Sequence, residues 1–169
     1  YDDIIMNGVV PGHTGTKTVT LVIQPLQITV TANDKTIFFN DAVPNDFTKT
    51  VTPALPYGDT LSVTFDTADY TKGANVGSYV ITPVVVPNPN YEIITQDGTL
   101  TVSQLDFTGK TTISKGAQLV YNTNEQTQEI TVKVGETTTL TDEDYTVAGN
   151  TATDAGSYTL TITGQGNYT

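Results

Sequence analysis

Apolar and polar residues alternate with a period of two along most of the chain. Leu26, Ile28 and Val30 alternate with Gln27, Thr29 and Thr31, and Leu61, Val63 and Phe65 with Ser62, Thr64 and Asp66. Ile130, Val132 and Val134 alternate with Thr131 and Lys133, and Tyr158, Leu160 and Ile162 with Thr159, Thr161 and Thr163. Successive side chains on a strand point to opposite faces, so this pattern predicts half-buried strands. Further strands are expected at 16–23, 79–86, 91–95 and 99–103. Asp97-Gly98 separates the last two, and both residue types tolerate positive φ, so a hairpin is expected there. Between 38 and 52 the strand pattern is weakest, and Pro44 with Asn45-Asp46 predicts a turn or a single helical turn. No window carries the i, i+3, i+4, i+7 apolar spacing of a helix. The expected class is all-β.

The chain also repeats itself. Asn75-Val76-Gly77-Ser78-Tyr79-Val80-Ile81-Thr82 matches Asp154-Ala155-Gly156-Ser157-Tyr158-Thr159-Leu160-Thr161. Gly58-Asp59-Thr60 matches Gly135-Glu136-Thr137, Asp69-Tyr70-Thr71 matches Asp144-Tyr145-Thr146, and Asn90-Tyr91 matches Asn167-Tyr168. All four pairs keep the same order at one period of roughly 80 residues, the signature of a tandem module. A fainter echo relates Gly15-Thr16 and Thr18-Val19 to Gly98-Thr99 and Thr101-Val102. The expected division is a terminal hairpin of a preceding repeat at 1–24, a complete unit at 25–104, and a second unit at 105–169 cut short at its C-terminal end. The opening Tyr1-Asp2-Asp3 reads as the edge of a piece of something longer.

Composition narrows the chemistry. The 169 residues include 35 threonines, one histidine, seven lysines and no cysteine or tryptophan, with a formal net charge of −11. Threonine, valine, isoleucine and tyrosine favour strands. Seven cations against eighteen carboxylates leave no electrostatic footprint for nucleic acid. Thiol chemistry and cysteine zinc sites are impossible. No apolar run approaches the roughly 18 residues of a membrane span.

The repeated Asp154-x-Gly156-x-Tyr158 and Asn75-x-Gly77-x-Tyr79 have the layout of a tyrosine corner. In that motif a turn and a glycine precede a strand, the ring packs inward, and the hydroxyl bonds upstream backbone. Gly77, Tyr79, Gly156, Tyr158 and the Asp97-Gly98 step are therefore read as structural. With Tyr57-Gly58-Asp59-Thr60-Leu61, Asn88-Pro89-Asn90-Tyr91 and Asp97-Gly98-Thr99-Leu100-Thr101-Val102, residues 25–104 resemble the MBG-type repeat of bacterial surface adhesins. Residues 105–169 carry Leu119-Val120-Tyr121-Asn122, Leu140-Thr141-Asp142-Glu143-Asp144-Tyr145 and Gly164-Gln165-Gly166-Asn167-Tyr168. They resemble the YDG-type, immunoglobulin-like repeat found beside it. Two departures stand out. The tyrosine-glycine-aspartate step expected after the first strand is replaced at Phe38-Phe39-Asn40-Asp41, and the YDG step is degenerate at Tyr121-Asn122-Thr123. The resemblance implies tandem immunoglobulin-like β-sandwiches, with a β-grasp-like α+β unit as the alternative for 25–104. It implies a secreted or surface location, no catalytic residue and no cofactor, and as partners the adjacent repeats and host or cell-surface glycans or proteins. The function expected is a stalk or adhesive module; the alternative is a carbohydrate-binding module or spacer of a polysaccharide-handling protein.

Candidate chemistry is sparse. His13 has no second imidazole with which to build a metal site. Asp142, Glu143 and Asp144 are adjacent on one turn, without the facing geometry of a glycosidase pair or the 12-residue calcium loop. Lys133 alternates out of phase with Val132 and Val134, and Lys72 and Lys110 sit beside glycines, which disfavours a buried lysine-to-asparagine cross-link. Tyr57, Phe38 and Phe39 lie near turns and are the residues best able to stack on a sugar. Against that stands the plainer expectation that one of Phe38 and Phe39 enters the core while the other caps an interface.

Overall fold

The computed structural model describes residues 18–169; their regular structure is strand, apart from one 3₁₀ turn at Pro56–Gly58. The fold is all-β, as the alternation predicts. The α+β alternative has no helix to rest on among the described residues.

Residues 26–103 form seven strands: β1 (Leu26–Ala32), β2 (Lys35–Phe38), β3 (Lys49–Thr52), β4 (Val63–Asp66), β5 (Gly77–Val85), β6 (Tyr91–Gln96) and β7 (Gly98–Ser103). They make two sheets, ordered β3-β1-β6 and β2-β7-β5-β4. Alternation puts Ile28, Val30 and Ala32 of β1 inward, and likewise Gly98, Leu100 and Val102 of β7. Two buried clusters result, each drawing side chains from both sheets. One holds Ala32, Ile37, Tyr70, Ile81, Leu100 and Val102; the other holds Ile28, Val30, Leu61 and Tyr91.

Three details of this unit differ from the sequence reading. Asp97-Gly98 is not a hairpin: β6 pairs with β1, β7 pairs with β5 and β2, and the dipeptide carries the chain from one sheet to the other. Gly98 is needed for proximity, because a Cβ there would lie 2.4 Å from the Ala32 carbonyl oxygen. The stretch after Phe38 turns at Phe39-Asn40 and bends at Asn45 without a helical turn, and its end, Lys49–Thr52, forms β3 on the free edge of β1. Finally, β1–β6 and β2–β7 are parallel pairs, which a period-two pattern cannot distinguish from antiparallel ones.

The second part contains β8 (Thr111–Lys115), β9 (Gln126–Thr127), β10 (Ile130–Val134), β11 (Thr138–Thr139), β12 (Tyr145–Ala148), β13 (Thr151–Ala152) and β14 (Thr161–Gly164). All its ladders are antiparallel: β11-β10-β8, β12-β14 and β13-β9. Phe107, Val132, Leu140 and Tyr168 form its buried cluster. The sequence repeat recurs as a repeated contact. Leu26 N–H donates to the Asn90 carbonyl at 2.9 Å, and Leu105 N–H donates to the Asn167 carbonyl at 2.9 Å. Each leucine then pairs in parallel with the tyrosine that follows, Tyr91 or Tyr168.

The strand expected at 16–23 is not formed where it can be seen. Residues 18–25 lie outside any strand, with Val19, Leu21, Val22 and Ile23 exposed. Alternation supplies a face, but a strand also needs an edge to pair with. The rest of the terminal hairpin, including His13, lies outside the described residues.

Candidate interaction surfaces

The turn at Pro56–Gly58 is built from two consecutive left-handed residues, Tyr57 (φ 55°) and Gly58 (φ 78°), and closes by donation from Asp59 N–H to the Pro56 carbonyl at 3.0 Å. Glycine adopts this region freely; tyrosine there is uncommon and is held by the turn around it. The reversal aims Asp59 at the core rim, where its Oδ2 accepts from the Tyr91 hydroxyl at 2.6 Å. That bond, followed by burial, pushes the Tyr91 phenol above its ordinary value. The Gly-Asp and Asn-Tyr repeat elements are thus two ends of one contact. Tyr57 itself points away, with a relative exposure of 103%.

The two tyrosine corners make the same bond in different surroundings. Tyr79 donates to the Asn75 carbonyl at 2.6 Å, and Tyr158 donates to the Asp154 carbonyl at 2.9 Å. Tyr79 is half-buried, its ring edge-on to Tyr70 at 5.2 Å. Tyr70, which composition alone did not single out, is buried and donates to the Asp41 carbonyl at 2.8 Å. Burial first, then the Asp41 charge, raises its phenol. Tyr158 instead stays 51% exposed over an open groove of about 530 Å³. Leu119, Tyr121, Gln126, Gly156 and Leu160 line the same groove.

Phe38 and Phe39 part company. Phe38 stays exposed on β2, while Phe39 packs against the buried clusters of both parts. Its ring meets Tyr168 edge-on at 5.3 Å and 74°. Around this contact, Val76 N–H donates to Asn167 Oδ1 at 2.9 Å and Asn167 Nδ2 donates to Asn75 Oδ1 at 2.9 Å. Gln104 Nε2 donates to the Gly166 carbonyl at 2.9 Å. Burial, then the charge of Asp144, raises the Tyr168 phenol. Phe39 is therefore a junction residue, half-buried between the two parts, whereas Phe38 and Tyr57 are exposed.

The acidic run is a turn. Asp144 Oδ2 accepts from Thr141 N–H at 2.9 Å and from the Thr141 hydroxyl at 3.1 Å. Among the described residues no three carboxylate or imidazole side chains converge as metal ligands. Nor is any helix there long and apolar enough to cross a membrane.

The glycine-led turn, the buried Asn-Tyr step and the two-sheet core all fall within one stretch of chain. Residues 28–101 match the family described as MBG domain (YGX type). Tyr57-Gly58-Asp59, on the 3₁₀ turn, lies within this matched stretch. MBG repeats occur in bacterial surface proteins. No curated protein and no solved structure matches the chain.

Proposed function

We propose that the chain is a non-catalytic, extracellular repeat segment of a bacterial surface adhesin, serving as stalk or adhesive module. In this reading the MBG repeat is followed by a second, YDG-type immunoglobulin-like unit at 105–169. The observation that carries it is the packed join. Ser103 and Leu105 are separated by a single residue, and Phe39, Asn75, Val76 and Gln104 bridge to Asn167, Tyr168 and Gly166. A join without a Gly/Ser tract and fixed on several sides resists bending, as a projecting stalk requires. The acidic composition supports the same role, because like charge keeps neighbouring copies from clumping. Small-angle scattering tests it: an elongated particle is expected, and a compact globule refutes the stalk.

A second reading, sugar binding, is favoured by the fully exposed Tyr57. A glycan array with hits that vanish in Tyr57→Ala would favour that module over the stalk; an array without hits discards it.

A further inference from the structure

In the MBG repeat the first two strands run beside the last two without losing step. Leu26 to Thr31 of β1 lie opposite Tyr91 to Gln96 of β6, and Lys35 to Phe38 of β2 lie opposite Leu100 to Ser103 of β7. Both pairings are parallel, and both keep one offset of 65 residues, as do the Thr31–Gln96 and Asp34–Thr99 side-chain contacts. The two stretches therefore cross from one sheet to the other at the same place. β1 passes into β2 over Asn33-Asp34, and β6 passes into β7 over Asp97.

At that crossing two contacts carry the pairing across the gap. Asp34 Oδ1 accepts from Thr99 N–H at 2.8 Å, and Gly98 lies so close to Ala32 that no Cβ fits between them. Backbone bonds close both ends: Leu26 N–H donates to the Asn90 carbonyl at 2.9 Å, and Phe39 N–H donates to the Ser103 carbonyl at 2.8 Å. Residues 26–38 and 91–103 thus form one parallel ribbon, bent across both sheets and backed by buried Ile28, Val30, Ile37, Leu100 and Val102.

Tension along the chain enters this unit at Leu26 and leaves it at Ser103. In a parallel ribbon those points are at opposite ends, so the two strands are drawn past each other lengthwise. The evenly spaced bonds of the ladder then stretch together instead of opening one by one. An antiparallel pair of terminal strands would place both points at one end and would peel. We propose that the ribbon is a load-bearing clamp, which makes the MBG repeat resistant to force along the chain, with Asp34 as the residue that carries load across the sheet crossing. The clamp goes beyond the stalk reading and does not need it, because it rests on strand direction and register alone. Forced unfolding follows the barrier to rupture, so the clamp is read by pulling and not by a melting curve.

The chain has no cysteine, so a pair of introduced cysteines gives unique handles for single-molecule pulling on the whole chain. Gln24→Cys with Gln104→Cys loads the ribbon in shear, and Gln24→Cys with Asn90→Cys loads one end and peels it. All three side chains are exposed and lie outside the strands. At one loading rate the shear pair should rupture at severalfold higher force than the peel pair, releasing the unit in a single step of roughly 250 Å of chain. Asp34→Ala should lower the shear force and leave the peel force unchanged, since peeling starts at Leu26, ahead of the crossing; general destabilisation would lower both. Equal forces in the two geometries, or a shear trace that opens in many small steps, overturns the clamp. A high shear force in a particle that scattering finds compact would refute the stalk and leave the clamp standing.

Discussion

At the scale of single residues, the repeated glycines and tyrosines do different work in their two copies. Gly98 is fixed by the approach of the Ala32 carbonyl, so Gly98→Ala should cost about 1–3 kcal/mol, as other overpacked sites do, read as a lower urea midpoint at unchanged slope. Leu100 lies fully buried between β2 and β5, and Leu100→Ala should cost about 2–5 kcal/mol in the same assay. Three phenols, Tyr70, Tyr91 and Tyr168, are held above their ordinary value of 10.0. A folded state that keeps these protons longer than the unfolded chain is stabilised fully below pH 10.0 and loses that stability as pH rises above it. Melting temperature should therefore fall above this pH, and Tyr91→Phe should flatten the fall. At the acid end the Lys35 hydrogen bond lowers Asp46 and the Thr108 amide lowers Asp106, so their contribution is present above 3.8 and is lost as pH drops below it.

At the scale of elements, the contrast lies between 77–81 and 156–160. The two stretches share Gly-Ser-Tyr and end on Ile81 or Leu160, yet the first is paired with β7 and the second with nothing described. Unpaired backbone exchanges readily, because no ladder must open first. In dilute, monomeric protein the amides of 156–160 should exchange much faster than those of 77–81 by hydrogen-exchange mass spectrometry. Equal protection would mean that the groove is covered in solution. The parallel pairs β1–β6 and β2–β7 also belong to this scale, since they join strands far apart in sequence through a sheet-to-sheet crossing at Asp97-Gly98.

At the scale of the molecule, Phe39 and Asn167 are two of the side chains that tie the two parts together. Phe39 touches both cores, and Asn167 both accepts from Val76 N–H and donates to Asn75. Removing either should leave each part folded while weakening the coupling between them. Calorimetry of Phe39→Ala is expected to resolve two thermal transitions where the parent shows them merged or closer together. Asn167→Ala should cost about 0.5–1.5 kcal/mol per lost hydrogen bond. A single unchanged transition in both variants would show that the junction carries no cooperativity.

The sequence by itself determined the class and the repeat. Period-two alternation, threonine-rich polar faces and recurring Gly-Asp, Gly-x-Tyr and Asn-Tyr steps are local properties, and each leaves its trace in adjacent residues. Which strand each strand pairs with is not local. The fate of Asp97-Gly98, the parallel pairs, the division of labour between Phe38 and Phe39, and the exposure of Tyr158 where its counterpart Tyr79 is half-buried depended on what lies across the sheet or across the junction. Val19, Leu21 and Ile23 carry as good a strand pattern as any in the chain, yet they lie outside the strands of the described residues. The chain writes its faces residue by residue; only the folded molecule decides which faces meet.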